Sequence, residues 1–256
     1  MFSTTEITSA ELLSDNPLHQ RLLFAYIAAS QLLSGEVLEV GCGVGRGLEA
    51  ILQHCQTYTA IDKNEALIAQ LQEEYPQHRF LAQHLPPFKD IPSDHYDFVI
   101  SFQVIEHIQN DSLFVAEIQR VLKPGGKAII TTPNRRWSLT RNPWHIREYT
   151  ETELQALLQK HFAVVECKGV AGNDKVMRYY EENKKSVQKY KRLDILRMEQ
   201  WLPSALLRIP YDILNRLNRK KLLKAEQGLT AEIRDEDYFL SPQAAQSLDL
   251  FYIATK

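Results

Sequence analysis

Val37-Leu38-Glu39-Val40-Gly41-Cys42-Gly43-Val44-Gly45-Arg46-Gly47 joins an apolar strand to alternating glycines, and a helical pattern takes over at Leu48. Glycine reaches φ > 0 at little cost and lets a backbone approach a ligand closely. A turn of this kind at a helix start offers backbone N–H groups to a ligand, so the segment reads as a binding turn. In a dinucleotide fold the third glycine comes three residues after the second. Here Gly41, Gly43 and Gly45 alternate, and Glu39 precedes them. Taken alone, the glycines also fit a tight strand-to-helix turn without a ligand.

Strands and helices alternate on either side of this turn. Leu18 to Leu33 repeats apolar residues at three and four, which predicts a helix started by Asn16-Pro17. His19, Arg21 and Tyr26 stand on its polar side, either solvated or reaching toward a ligand. Beyond the turn come a helix (Leu48 to His54) and a strand (Thr57 to Ile61) that ends in Asp62, then Lys63, an N-capping Asn64 and a helix from Glu65. An acid about twenty residues past the glycines, at the tip of the second strand, can accept hydrogen bonds from both ribose hydroxyls; a helix cap is the alternative role for Asp62. Arg79 to His84 and Tyr96 to Phe102 are the third and fourth strands, and Leu85-Pro86-Pro87-Phe88 is a rigid loop between them. Asp111 to Leu122 reads as a helix stopped by Lys123-Pro124-Gly125-Gly126, followed by a fifth strand from Lys127 to Thr132. Thr150 and Glu153 form a capping box for a helix to Phe162; Ala163 to Gly169 and Leu250 to Thr255 are the last strands.

The run E-V-G-C-G-V-G resembles motif I of the class I S-adenosylmethionine-dependent methyltransferases, where the turn cradles the amino-acid end of the cofactor. Val104-Ile105-Glu106-His107-Ile108 is similar to the V-I-E-H-I of many small-molecule methyltransferases of the type 11/12-like group, among them the ubiquinone-pathway O-methyltransferases, and Thr132-Pro133-Asn134 to the T-P-N that ends their fifth strand. The likeness spans roughly Leu18 to Phe162 plus the last strand. It implies an α/β fold: a doubly wound, mostly parallel seven-stranded sheet whose last hairpin is reversed. Residues 1–172 plus 249–256 would form the methyltransferase domain, and 173–248 an α-helical insertion before the last strand that caps the substrate. S-adenosylmethionine is the implied cofactor, with contacts expected from Glu39, Gly41, Cys42, Gly43, Gly45, Asp62, Lys63, Gln83, His84, Phe102 and Gln103. Gln83 and His84 stand where the family often has an acid at the adenine, and Gln103 stands where the ubiquinone enzymes carry a further Glu. A hard-oxygen metal site would lack that carboxylate, so no metal is expected.

Methyl transfer from a sulfonium is an in-line displacement that depends on positioning. A hydroxyl acceptor gains from a general base, for which His107 and His145 are the candidates. His145 lies in a loop, Arg136 to Tyr149, rich in Trp, Arg and His, as binding loops are. Trp137 and Trp144 fit equally well as anchors onto the sheet, whereas His145, Arg147 and Tyr149 read as binding residues.

At 256 residues with 44% hydrophobic composition, one core plus an insert can be filled. A net charge of −2 gives no pull toward nucleic acid, so DNA is not an expected partner and RNA would need a local patch. Cys42, Cys55 and Cys167 show neither metal spacing nor an even disulfide count, which fits a reduced cytoplasm and excludes the iron–sulfur centre of radical chemistry. Residues 1 to 20 lack a signal-peptide pattern, and no apolar run reaches spanning length. Gln188 to Lys224 is basic and amphipathic, either a lid packed on the parent domain or a segment that touches a membrane or partner. The acceptor expected is a small or lipid-linked molecule methylated on oxygen. RNA or protein methylation, or a non-catalytic cofactor-binding module, are the other readings.

Overall fold

The computed structural model describes residues 12–192, 202–225 and 227–256. Helix α1 (Asn16–Ser30), with Pro17 in its first turn, leads into β1 (Glu36–Val40). The glycine turn, a short α2 (Leu48–Ile51), β2 (Thr57–Asp62), α3 (Glu65–Glu74) and β3 (Arg79–Ala82) complete the first half. The second half runs through β4 (Tyr96–Phe102), α4 (Asp111–Val121), β5 (Leu122–Pro133), α5 (Glu151–Leu158) and β6 (Val164–Gly172). Then come α6 (Asp174–Lys191), α7 (Ser204–Ala225), α8 (Gln227–Glu232), β7 (Tyr238–Ser241) and β8 (Asp249–Thr255).

The sheet order is β3-β2-β1-β4-β5-β8-β6-β7. Strands β1 to β5 pair in parallel, while β8 lies antiparallel between β5 and β6. Both faces of the central strands are covered, which is why they read as unbroken apolar runs. In β1, Val37 joins the core on one face and Leu38 and Val40 the core on the other, all fully buried. Strand order reverses between β1 and β4, so a crevice forms outside their carboxyl ends, and both signature segments start there.

Local signals hold where they are short-range. The Asn64 side chain accepts from the Leu67 N–H at 3.2 Å to cap α3, and both halves of the Thr150/Glu153 box are made at α5. Three expectations change. The sheet gains an eighth strand, β7, inside the segment expected as a mostly helical insertion, because β6 runs on to Gly172 and offers an edge that Tyr238 to Ser241 pairs with. Lys123-Pro124-Gly125-Gly126 is absorbed into an irregular start of β5, with a register shift opposite Tyr96/Phe98, rather than standing as a turn. The third strand stops at Ala82, leaving Gln83 and His84 outside it.

The segment after β6 is tied to α1. Asn16 Nδ2 donates to the carbonyls of Thr230 and Ile233 at 2.8 and 2.9 Å, Tyr238 Oη donates to Pro17 O at 2.6 Å, and Arg219 pairs with Asp15 at 2.9 Å. Of the basic stretch expected from Gln188 to Lys224, Asp194, Arg197, Glu199 and Trp201 lie outside the described residues, as does the start of the region read for a leader. Among the described residues no helix is long and apolar enough to cross a membrane.

Candidate active site

Gly41, Gly43 and Gly45 have φ of 84°, 53° and 72°, so all three occupy the left-handed region. A Cβ on Gly41 would fall 2.3 Å from Val104 Cγ2, and one on Gly45 2.6 Å from Leu48 Cδ1. Gly43 has nothing within 4 Å, so the middle of the turn faces open space. Asp62 reaches across from β2: its Oδ2 accepts from the Gly43 N–H and its Oδ1 from the Asn64 N–H, both at 2.9 Å. A carboxylate has about four acceptor positions, so two backbone bonds leave capacity for hydroxyls. An open cradle with a carboxylate on its rim fits an adenosyl cofactor. Gly43 and Asp62 would hold it, with Lys63 exposed beside Asp62.

Behind the turn the chain builds a support. Glu39 is 1% exposed, and its two oxygens accept from Tyr26 Oη at 2.7 Å and from Tyr58 Oη. Burial pushes its carboxyl up to about 7, against the pull of the two tyrosine hydroxyls. The Tyr26 ring stands edge-on to Phe102 at 4.7 Å, and a Cβ on Gly47 would fall 1.9 Å from the same ring. Cys42 is buried in this support, and burial pushes its thiol up. Glu39, Cys42 and Phe102, expected at the cofactor, thus brace the turn from inside, and so does Tyr26. At the adenine side, the Gln83 amide ties down the neighbouring loop, accepting from Lys89 N at 2.7 Å and donating to Lys89 O at 3.3 Å. His84 is exposed next to it. Phe88 of that loop is buried edge-on to Phe114, and its N–H donates to Glu117.

Gln103, with φ of 59°, carries the chain out of β4; its N–H donates to Thr131 O at 2.9 Å. It lines a cavity of about 300 Å³, near the lower end for small-molecule sites. Walls come from α1 (Arg21), the segment after β4 (Glu106, His107), the loop after β5 (Trp137, Asn142, His145, Glu148), α6 (Tyr179, Tyr180) and α7 (Tyr211, Asn215). The loop and the insertion therefore meet over one space.

At its floor sit Glu106, His107 and His145, whose ligand-type atoms lie within 4.8 Å of one another. His107 Nδ1 is 2.9 Å from Trp144 O. A carbonyl only accepts, so Nδ1 carries the proton and Nε2 is the basic nitrogen of the neutral ring. The His145 ring stands perpendicular to it at 4.9 Å. Its Nδ1 meets Glu148 at 2.7 Å and its Nε2 meets Asn142 Nδ2 at 2.8 Å. Burial pulls the His145 pKa down, but hydrogen bonding to Glu148 and the charge of Glu106 outweigh it and leave the pKa raised. Glu106 is buried and accepts from Thr132 Oγ1 at 2.9 Å; burial pushes it up to about 7. The cluster has the spacing of a cation site, but both nitrogens of His145 are engaged within its own loop, so hydrogen bonding accounts for the arrangement.

Other loop residues fall elsewhere than expected. Tyr149 is buried and donates to Asp111 at 2.8 Å, and Arg147 pairs with the same carboxylate, so both clamp the loop to α4 and neither lines the cavity. Trp144 packs on the insertion: its Nε1 donates to Asp212 at 3.1 Å and the Arg208 guanidinium lies 4.4 Å from its ring. His19 lies against Arg46. Arg21 lines the cavity and meets buried Asp249 at 3.1 Å, while the other Asp249 oxygen has no hydrogen-bond partner. Nothing in the sequence announces the Arg21–Asp249 pair, because its partners come together only through the fold; Glu148, three residues from His145, is a local partner.

A methyltransferase-domain family matches residues 38–130. A probable S-adenosylmethionine-dependent methyltransferase of Mycolicibacterium smegmatis is 32% identical over 99% of this chain and 94% of its own. A phthiotriol/phenolphthiotriol dimycocerosates methyltransferase of Mycobacterium leprae is 29% identical over 64% of this chain and 62% of its own. The ubiquinone biosynthesis O-methyltransferase of Pseudomonas entomophila is 34% identical over 41% of this chain and 47% of its own. Among solved structures, a methyltransferase from Thermotoga maritima superposes with a TM-score of 0.57 at 15% identity, covering 93% of this chain and 91% of that one, which shows the shared fold. With the glycine cradle, Asp62 and the sheet order in place, the chain belongs to the S-adenosylmethionine-dependent methyltransferases, and S-adenosylmethionine is its cofactor.

Proposed function

We propose that the protein methylates a hydroxyl of a small or lipid-linked acceptor held in the cavity beside Gln103 and His107. The observation that carries this reading is the meeting of the two halves: Gln103 leaves β4 beside the glycine turn and also lines the cavity in which His107 is fixed by the Trp144 carbonyl. Relatives named for a lipid-type and a ubiquinone-pathway acceptor support the acceptor class. The cofactor, once bound, supplies a methyl group on a sulfonium. The glycine turn would hold its amino-acid end and Asp62 its ribose, and the cavity wall would present the acceptor oxygen beside Gln103. His107 Nε2 would take the hydroxyl proton as the acceptor oxygen bonds to the methyl carbon and the carbon–sulfur bond breaks, its electron pair leaving with the sulfur in S-adenosylhomocysteine. His145, held by Glu148 and Asn142, buttresses the His107 ring. Residues 173–248 act as the cap that excludes water, with residues 1–172 and 249–256 as the catalytic domain.

Transfer of labelled methyl from S-adenosylmethionine to a panel of phenols, hydroxylated lipids and sugar-bearing lipids tests the reading. The expected product is an ether on one acceptor class. Label entering only RNA or protein would overturn it.

A further inference from the structure

Helix α7 has two unlike faces. Inward, Tyr211, Asn215, Asn218 and Arg219 line the cavity. Outward, Leu206, Ile209, Ile213, Leu214 and Leu217 are between 46% and 72% exposed, a concentration of apolar side chains met on no other described helix. At 100° per residue Leu206, Ile213 and Leu217 stand in one row, and Lys220 and Lys224 extend that row toward the helix end. The helix holds six cationic residues and one acid. That acid, Asp212, is turned toward Trp144, so it does not offset the outward lysines.

Beside the basic end, α6 and α7 enclose a cleft lined by Glu182, Lys185, Ser186, Lys189, Arg192 and Lys221. Ser186 is 7% exposed, and its hydroxyl has no hydrogen-bond partner. A buried orphan hydroxyl among cations is a site for an anionic oxygen.

We propose that the outward face of α7 docks on an anionic lipid surface, the apolar row entering the boundary of the acyl chains while the lysines and the cleft meet phosphate headgroups. Basic residues at the end of an apolar helical face are the pattern of interfacial helices. A second copy docked through the same face would bring the same net-basic helix, six cations to one acid, against it. The cavity lies directly under the docked helix, so an acceptor residing in the bilayer would have a short path to it. Docking itself needs no methyl transfer, and its test is independent of the acceptor assignment.

Cosedimentation of the full chain with phosphatidylcholine vesicles, with and without phosphatidylglycerol, reads the docking directly. Partitioning onto the anionic vesicles is expected to be about tenfold stronger and to weaken as salt rises. Ile209→Asp with Ile213→Asp should reduce it about tenfold, since both side chains leave water on docking. Lys220→Glu with Lys224→Glu should remove the preference for anionic vesicles. Both double variants should keep wild-type melting and wild-type affinity for S-adenosylhomocysteine, because the changed side chains are exposed. A wild type that ignores both vesicle types, or an Asp variant that sediments like wild type, overturns the proposal. A wild-type dimer that leaves vesicles unbound and is dispersed by the same Asp substitutions assigns the face to a second copy and also overturns it.

Discussion

Asp62 fastens the second strand to the glycine turn, since Gly43 and Asn64 both donate to it, and two of a carboxylate's acceptor positions stay open on the rim, which is what the proposed ribose contact needs. Asp62→Ala should weaken S-adenosylhomocysteine binding by roughly 1.5 to 3 kcal/mol, the range for a lost charge-assisted bond. Unchanged affinity in a calorimetric titration would reduce Asp62 to a strut of the turn. Glu106 carries a second prediction. Its folded carboxyl is raised from 4.5 to about 7 by burial. Between those values the unfolded chain releases the proton while the folded chain keeps it, so stability falls as pH rises through that window and is level above it. The full effect is about 3 kcal/mol at 1.36 kcal/mol per unit. Glu39, raised to about 7 as well, adds a similar decline, so Glu106→Gln should flatten the slope in part. Urea melts at pH 5, 6, 7 and 8 measure it, and equal slopes in variant and wild type would contradict the assignment. The spacing from glycine turn to strand tip made Asp62 legible from sequence. Nothing local foretold that Glu39 would be enclosed by Tyr26 and Tyr58, 13 and 19 residues away, because those contacts exist only once α1 and β2 have packed beside β1.

Elements were legible in proportion to how local their determinants are. The capping box at α5 is a four-residue pattern and is made as read: Thr150 N–H donates to Glu153, and Glu153 N–H donates to Thr150 Oγ1. Thr150→Ala should cost about 1 kcal/mol in chemical denaturation; no change in midpoint would mean that α5 is held by Leu154 and Leu158 in the core alone. Strand β7 is the opposite case. Four residues, Tyr238 to Ser241, carry too little periodicity to be read, and what makes them a strand is the exposed edge of β6. Lys123-Pro124-Gly125-Gly126 does follow the end of α4, and its Gly125 takes a positive φ of 79°, but neighbouring strands recruit the flanking backbone into β5. In the loop after β5, composition alone could not separate Tyr149 and Arg147, which clamp to Asp111, from His145, which faces the cavity.

For the whole molecule, the shared sheet supplies a cofactor cradle at the carboxyl ends of β1 and β2, and the chain's own loop and insertion supply a separate space beyond Gln103. The central parallel strands were readable because they are apolar runs followed by punctuated turns, whereas edge strand β7 was not. The cavity was not, since Arg21, Trp137, Tyr179 and Tyr211 converge from four segments far apart in sequence. Such a division predicts that binding and chemistry respond to different substitutions. The most direct test compares His107→Phe with wild type in two assays on the same preparation, calorimetric affinity for S-adenosylhomocysteine and labelled methyl transfer to the acceptor at saturating cofactor. Affinity should stay within about twofold while turnover falls by about 100-fold or more, the usual contribution of a positioned general base. Turnover that persists in a variant whose cofactor affinity has collapsed would place His107 in the cofactor half and contradict the two-part site.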